Sequence, residues 1–297
     1  MTRVGYYPGC SLEATARDYA ESIEAVADRL GIELVELPGW NCCGASAAHS
    51  LDHVAALNLA ARNLALAAAG PQPLLVPCAL CFNRLKSAQA ELTAGGHGLL
   101  PAVSEMAGDP LAAQVVELNS YLTSPELTRR IAEAATTPLN GLRPVCYYGC
   151  QGQRPPGVTG HPRPENPTGI DELLAGLGAA VIDWPFKTDC CGASHSVARP
   201  DLVHALVGRL YERALERGAN CIVTGCQMCQ ANLDLYQAEI AQKLGRAVHL
   251  PVFYFTELIG LALGLADARV WLGRHLTDPA PLLAQVGLGA GQRRPGA

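Results

Sequence analysis

NCCGASAAHSLDHVAALNLAARNLALAAAGPQPLLVPCALC, residues 41–81, returns in altered form as DCCGASHSVARPDLVHALVGRLYERALERGANCIVTGCQMC, residues 189–229. Both stretches open on an adjacent cysteine pair followed by glycine. Both close on a C-x-x-C, with 34 residues between the pair and the C-x-x-C. A lone cysteine precedes each stretch, Cys10 by 31 residues and Cys150 by 39. The chain thus writes a five-thiol pattern twice: Cys10, Cys42, Cys43, Cys78 and Cys81, then Cys150, Cys190, Cys191, Cys226 and Cys229. Chance placement of cysteines does not repeat such a gap; a thiol-held centre in a duplicated unit does.

The repeat extends beyond the cysteines. GYYPGC (5–10) matches CYYGC (146–150), and LLVPCALCFNRL (74–85) matches CIVTGCQMCQANL (221–233). The offset is 140 residues at Cys10/Cys150 and 148 at the other four cysteine pairs, so eight residues are inserted between Cys150 and Cys190. The Pro/Gly-rich run Gln151–Thr168 is the expected site of that insertion, a surface loop of the kind that lines binding sites.

Each half alternates short apolar runs with helical periodicity. Strands are expected at Arg3–Tyr7, Ile32–Leu37 and Leu74–Val76, then at Pro144–Tyr148, Ala180–Trp184, Cys221–Thr224 and Pro251–Phe255. Helices are expected at Glu13–Leu30, Leu51–Ala69, Cys81–Leu92, Leu111–Leu122, Pro125–Ala135, over Val203–Leu215, and at Thr256–Leu265. Such alternation predicts an α/β fold of two pseudo-symmetric domains, each a small, mostly parallel sheet flanked by helices. The expected divisions are 1–142, 143–285 and a disordered tail, 286–297. Every cysteine group follows an expected strand. In open α/β sheets ligands gather beyond the carboxyl ends of the strands, so each five-thiol set should converge at one sheet edge.

With 297 residues, 49% hydrophobic and 16% charged, the chain can bury two cores. A net charge of −5 does not suggest a nucleic-acid partner. No apolar stretch approaches the roughly 20 residues that span a bilayer, and MTRVGYYPGC does not read as a signal peptide. A cytoplasmic protein is expected, peripheral to a membrane only through partners. There, twelve cysteines point to metal ligation rather than structural disulfides.

A structural zinc takes four ligands, commonly two C-x-x-C pairs, and fits five thiols poorly. An ordinary four-iron cube also takes four cysteines, leaving one over. Either one cysteine lies outside the coordination sphere or the cluster is not an ordinary cube.

The pattern resembles the cysteine-rich CCG domain. Two copies in one chain resemble the B subunit of heterodisulfide reductase, through YYPGCSL, NCCGA, PCALCFNRLK, YYGCQ, CCGASHS and QANLD, from Gly5 to about Gly264. The resemblance implies two non-cubane 4Fe-4S clusters, one on each five-cysteine set, facing each other across a pseudo-two-fold axis. A disulfide bound between them would be reduced to two thiols, or formed from them. It also implies partners: a ferredoxin-like iron–sulfur C subunit, a flavoprotein A subunit, and a small thiol or disulfide or a protein-bound thiol as substrate. The chain has neither a C-x2-C-x2-C-x3-C-P run nor a G-x-G-x-x-G fingerprint of its own. Two further classes compete. One is an electron-transfer or anchor-type subunit of a succinate dehydrogenase or fumarate reductase passing electrons toward quinone, with FYFTELIGLALGL (253–265) as an interfacial helix or else a buried domain helix. The other is a redox-sensing module, which two complete cysteine sets disfavour.

Other residues carry weaker expectations. His49 and His195, each following a Cys-Cys-Gly, are candidate proton donors, against a reading as cap or surface histidines. Lys187 reads as a solvated lysine, or else as one that offsets cluster charge or binds an acidic substrate. In each of the pairs Tyr6/Tyr7 and Tyr147/Tyr148, one ring should pack in the core and the other face the site. Asn83 and Arg84, like Ala231 and Asn232, are placed in a first helical turn, where N–H groups can stabilise the negative charge of cluster sulfurs, against an equal reading as ordinary helix surface. Cys146 and Cys221 are read as core residues, against a redox role or one beside the cluster, with Gly5 and Leu74 at roughly the corresponding places in the first half.

Overall fold

The computed structural model describes residues 2–45, 47–95 and 98–289. In the first half β1 (Thr2–Tyr6), β2 (Ile32–Glu36), β3 (Leu74–Val76) and β4 (Val115–Glu117) form a parallel sheet of order β2-β1-β3-β4. In the second, β5 (Pro144–Tyr147), β6 (Cys221–Thr224) and β7 (Val252–Tyr254) form a parallel sheet of order β5-β6-β7. The inner strand β3 and the three strands of the second sheet are wholly buried, mostly apolar runs, as parallel strands covered by helices require, whereas the edge strand β2 and the start of β1 are partly exposed.

The strand expected at Ala180–Trp184 does not form a ladder. The segment runs beside β5 and donates from Ala180 N–H to Leu142 O (2.9 Å) and from Ile182 N–H to Pro144 O (2.8 Å). A parallel ladder needs a return bond from residue 144, and proline has no N–H to give. The segment still occupies the place that β2 holds in the first half. The helix expected at Leu111–Leu122 is also corrected: it is a 3-10 turn (Pro110–Ala112), then β4, then a short helix (Leu118–Leu122). Val115 and Val116 pair with Leu74 and Leu75 of β3, and that pairing overrides the helical spacing of the leucines. The helix expected from Glu13 to Leu30 breaks into Cys10–Glu13 and Arg17–Arg29, with Leu12 and Ala16 turned into the core.

Helices Arg17–Arg29, His53–Ala68 and Ala79–Thr93 cover the first sheet; Gly169–Gly176, Pro200–Glu216 and Gln227–Leu235 belong to the second half. Asp52 starts the second of these by accepting from Ala55 N–H (2.9 Å), a side-chain N-cap.

The two halves share one core. Its buried residues run from Val4 and Ile23 to Phe253 and Ile259. Tyr19 stacks on Tyr254 with centroids 4.1 Å apart and donates to Gly225 O (3.0 Å). Ser22 and Thr256 share a hydroxyl hydrogen bond of 2.7 Å. Helix Phe255–Ala262 is thereby buried on nearly every side, so FYFTELIGLALGL is a core element rather than an interfacial surface. Among the described residues no helix is long and apolar enough to cross a membrane. Of the expected tail, 286–289 lie within the described residues and Val286 packs on Gly141, so that stretch is not loose; 290–297 lie outside them.

An ion cluster closes the same seam. His275 donates through Nε2 to Glu257 Oε1 (2.8 Å), with Asp18 Oδ2 at 3.9 Å, and all three groups are buried. Burial works to lower the His275 pKa, but Glu257, Asp234 and Asp18 outweigh it and hold it near 9. An unfolded histidine titrates near about 6.5. The stabilisation from His275 is therefore full below that pH and is lost as pH rises through about 9. Denaturant unfolding from pH 6 to 10 should show stability falling over that window, and His275→Gln should flatten the fall.

Candidate functional site

Register decides which sulfurs meet. Tyr6 pairs with Leu75 and Cys146 with Val223, each three residues before the first cysteine of a C-x-x-C. The two halves therefore superpose Tyr6 on Cys146 and Tyr7 on Tyr147, while Cys221 falls on Pro73. This corrects the match of Cys146 and Cys221 to Gly5 and Leu74. Both thiols are fully buried core residues, and burial raises both pKa values.

Beyond β1 and β5 the chain passes through Gly9 (φ 72°) and Gly149 (φ 68°), a region that favours glycine. There is a second reason for glycine. A Cβ on Gly9 would lie 3.3 Å from Cys81 Sγ, and one on Gly149 2.8 Å from Cys229 Sγ. The vicinal pairs sit on matching turns, with Gly44 at φ 74° and Gly192 at φ 78°. Each turn hangs from a buried tyrosine. Tyr7 donates to Asn41 O (2.8 Å) and Tyr147 to Asp189 O, the carbonyls just before Cys42 and Cys190. Asn63 holds the first turn by bonds to Asn41 N and O, and Asn232 holds the second by donating to Cys191 O (2.9 Å).

The sulfurs converge as a result. Cys43 and Cys81 approach to 3.2 Å and Cys191 and Cys229 to 3.6 Å; all twelve cysteines are free thiols. In each set the outer cysteines, Cys10 with Cys42 and Cys150 with Cys190, lie near enough to shift each other's ionisation. Close thiols cannot all ionise, and one member of a pair is favoured. Cys81 pulls Cys43 down to about 7, Cys229 pulls Cys226 down to about 7, and Cys150 pulls Cys190 down to about 6. Their partners Cys81, Cys229 and Cys150 are pushed up. A donor set of five sulfurs, several poised as thiolates, fits a soft metal centre such as an iron–sulfur cluster and offers nothing to hard cations.

The two sets meet at the seam. Ala79, at the start of the first half's C-x-x-C helix, packs in one buried cluster with Cys191, Cys226 and Cys229, and the backbone N–H groups of Cys229, Met228 and Ala79 favour the Cys226 thiolate. A cavity of about 60 Å³ opens between the halves, lined by Cys150, Cys190, Cys191, Cys226 and Cys229 together with Ala79 and Leu80. The inserted loop closes over it. Asn83 donates to Gln151 O (2.9 Å) and Arg154 O (2.8 Å), tying the first half's helix to the chain beyond Cys150.

Several expectations change here. Asn83, Arg84, Ala231 and Asn232 lie in the second helical turn, so the N–H groups facing sulfur belong to Ala79, Cys81, Met228 and Cys229. Lys187 is not solvated: it is 2% exposed, paired with Asp171 (2.8 Å) and Asp183 (3.3 Å). Its carbonyl accepts from Tyr148 N–H and Gly149 N–H, so it fixes the turn before Cys150. His195 is exposed and near enough for its charge to favour the Cys190 thiolate. His49 is half-buried, with Nε2 3.3 Å from Arg84. Of the tyrosines, Tyr7 and Tyr147 pack behind the sulfurs, Tyr148 lines the cavity, and Tyr6 is buried away from it.

The sequence reading passed over Glu117, at the carboxyl end of β4 and 2% exposed. An acid closing the run VVE would have drawn notice had 115–117 been read as a strand.

Three substitutions test this geometry. Gly149→Ala should abolish metal loading of the second thiol set and leave the first loaded, halving the metal per chain; Gly9→Ala, with the longer contact, should be milder. Lys187→Met leaves Asp171 buried without its partner and should cost about 3 kcal/mol in denaturant unfolding.

Residues 4–86 and 145–234 match the cysteine-rich domain family CCG. The chain is 34% identical over 280 residues, 93% of its length and 98% of the relative's, to the 8-methylmenaquinol:fumarate reductase membrane anchor subunit of Wolinella succinogenes. It is 27% identical over 296 residues, 96% of its length and 97% of the relative's, to the B subunit of the ferredoxin/F(420)H(2)-dependent CoB-CoM heterodisulfide reductase of Methanosarcina acetivorans. In fold it is similar to a hypothetical protein from Helicobacter pylori, with a TM-score of 0.71 at 12% identity over 93% of this chain and 53% of the other. Two matched domains, each built around the same five thiols, place the chain in the CCG cysteine-rich domain family, which it carries in duplicate.

Proposed function

We propose that this chain is the iron–sulfur subunit of a heterodisulfide-reductase-like complex, reducing a disulfide or forming one between its two thiol sets. Two matching five-thiol sets, with Ala79 and Leu80 of the first C-x-x-C packed against the cysteines of the second set, carry the reading. The copies 1–142 and 143–285 would each hold one non-cubane 4Fe-4S cluster, on Cys10, Cys42, Cys43, Cys78 and Cys81 and on Cys150, Cys190, Cys191, Cys226 and Cys229. When bound, such clusters supply single electrons and sulfur-seeking iron. The chain's own residues do the rest. Gly9 and Gly149 let the backbone pass against sulfur, Tyr7 and Tyr147 hold the vicinal pairs, and the C-x-x-C helices aim N–H groups that favour thiolate over thiol. The exposed His195 beside Cys190 is placed to hand a proton to a product thiolate; His49, turned to Arg84, is placed less well. Electrons would come from a ferredoxin-like partner subunit and, behind it, a flavoprotein. The relative named as a B subunit supports this assignment over nearly its full length.

A second reading rests on the more identical relative, which is named a membrane anchor subunit of a fumarate reductase. There the same two clusters would pass electrons between a flavoprotein and quinone, the membrane being met through partners, since no described helix spans it.

Anaerobically purified protein should contain about eight irons and eight sulfides per chain. After oxidation, added thiol should generate a paramagnetic signal in EPR. Eight irons without a thiol response would favour the second reading, and zinc without iron would overturn both. Cys43→Ala and Cys191→Ala should each lose one cluster and turnover.

A further inference from the structure

Behind the thiol site lies a second cavity, of about 490 Å³, which is open to solvent. Its wall includes Glu117, Asn119, Gln153, Tyr148, Thr159 and His161. Tyr148 also lines the thiol cavity, so one ring separates the two spaces. The most buried ionisable group in this wall is Glu117.

Two glycines show how tightly Glu117 is set against the thiol loops. A Cβ on Gly152, two residues beyond Cys150, would lie 2.2 Å from Glu117 Oε1. A Cβ on Gly225, the residue before Cys226, would lie 1.9 Å from Asn119 Oδ1. Asn119 in turn donates to Glu117 Oε1 (3.3 Å). The carboxyl thus sits between the chain leaving Cys150 and the chain entering Cys226. No lysine, arginine or histidine pairs with it among the described residues. Burial, reinforced by the nearby Cys226, raises its pKa to about 8, so at neutral pH it carries a proton.

The surroundings are polar and under-bonded. Asn119 Oδ1, Gln153 Oε1, Thr224 Oγ1 and Gln227 Oε1 are buried without a protein partner. Two of them line the cavity with Glu117, and two flank Gly225–Cys226. Clustered buried acceptors of this kind are met by internal water, which conducts protons.

We propose that Glu117 is a proton relay for the thiol site, exchanging its proton with solvent through the Asn119–Gln153 cavity. The inference rests on the thiol–disulfide reading. Reducing one disulfide consumes two electrons, from the partner subunit, and two protons. Glu117 passes one proton toward the sulfur beside Cys226 and is reprotonated from cavity water; the second enters from the exposed Cys190 side, where His195 stands. In the oxidative direction the same carboxylate takes the proton up.

The test uses the iron-loaded protein with its electron-donating partner, comparing the parent with Glu117→Gln. The substitution keeps shape and hydrogen bonding and removes the proton. Iron content and EPR line shape should be unchanged. Disulfide reduction should fall by about 100-fold, the scale of a lost acid–base group. Infrared difference spectra of the parent should show a protonated carboxyl band that titrates near pH 8 and is missing from Glu117→Gln. Gln153→Leu, which blocks the cavity wall without touching Glu117, should slow turnover and keep the band. Parent-like turnover in Glu117→Gln, or a carboxyl ionised throughout pH 6 to 7, would overturn the relay. A parent with a titrating band and no thiol–disulfide turnover would instead overturn the functional reading on which the relay depends.

Discussion

Ten sulfur atoms must be held close together here without bonding to one another. At 3.2 and 3.6 Å the nearest pairs are well beyond a disulfide and close enough to share a proton. Flexible loops would collapse into disulfides or spread apart. The protein avoids both by hanging each loop from the end of a buried parallel strand and locking it with groups outside the sulfur set. Tyr7 and Tyr147 are those locks, equivalent in the two halves and bonded to equivalent carbonyls. The shared core, with Tyr19 stacked on Tyr254, then fixes the distance between the two sets.

The duplication is followed closely near sulfur and loosely elsewhere. Positive-φ glycines, vicinal turns and C-x-x-C helices recur almost unchanged. The supports differ: Asn63 and Arg62 brace the first vicinal turn, Asn232 and Arg209 the second. The inserted loop belongs to the second half but is tied down by Asn83 of the first. The pseudo-symmetric seam is therefore asymmetric in its access. The cavity at the second thiol set is roofed by the insertion, and the buried acid, Glu117, is contributed by the first half and serves the second.

That asymmetry bears on both functional readings. A disulfide has two sulfurs, and a site that treats them differently can bind an unsymmetrical substrate in one orientation. An electron relay needs no such distinction. The ion cluster of Asp18, Glu257 and His275 lies on the same seam, outside the thiol region, and joins helices of both halves.

Spacing alone made the repeat, the ten cysteines and the strand–loop placement of each group legible, because covalent periodicity and cysteine count survive any change of surroundings. Helix and strand types were readable wherever the apolar pattern was long. They failed at Leu111–Leu122 and Ala180–Trp184, where pairing with a distant strand, or a missing N–H at Pro144, outweighed local preference. The burial of Lys187, the bond from Asn83 to a loop 68 residues away, and the setting of Glu117 in a cavity wall were decided by tertiary structure. Each depends on which groups remain to satisfy a buried charge or hydrogen bond once the halves have closed. The sequence determined which thiols form the two sets; only the packed seam determined what surrounds them, because burial and partner choice are properties of contacts between residues far apart in the chain.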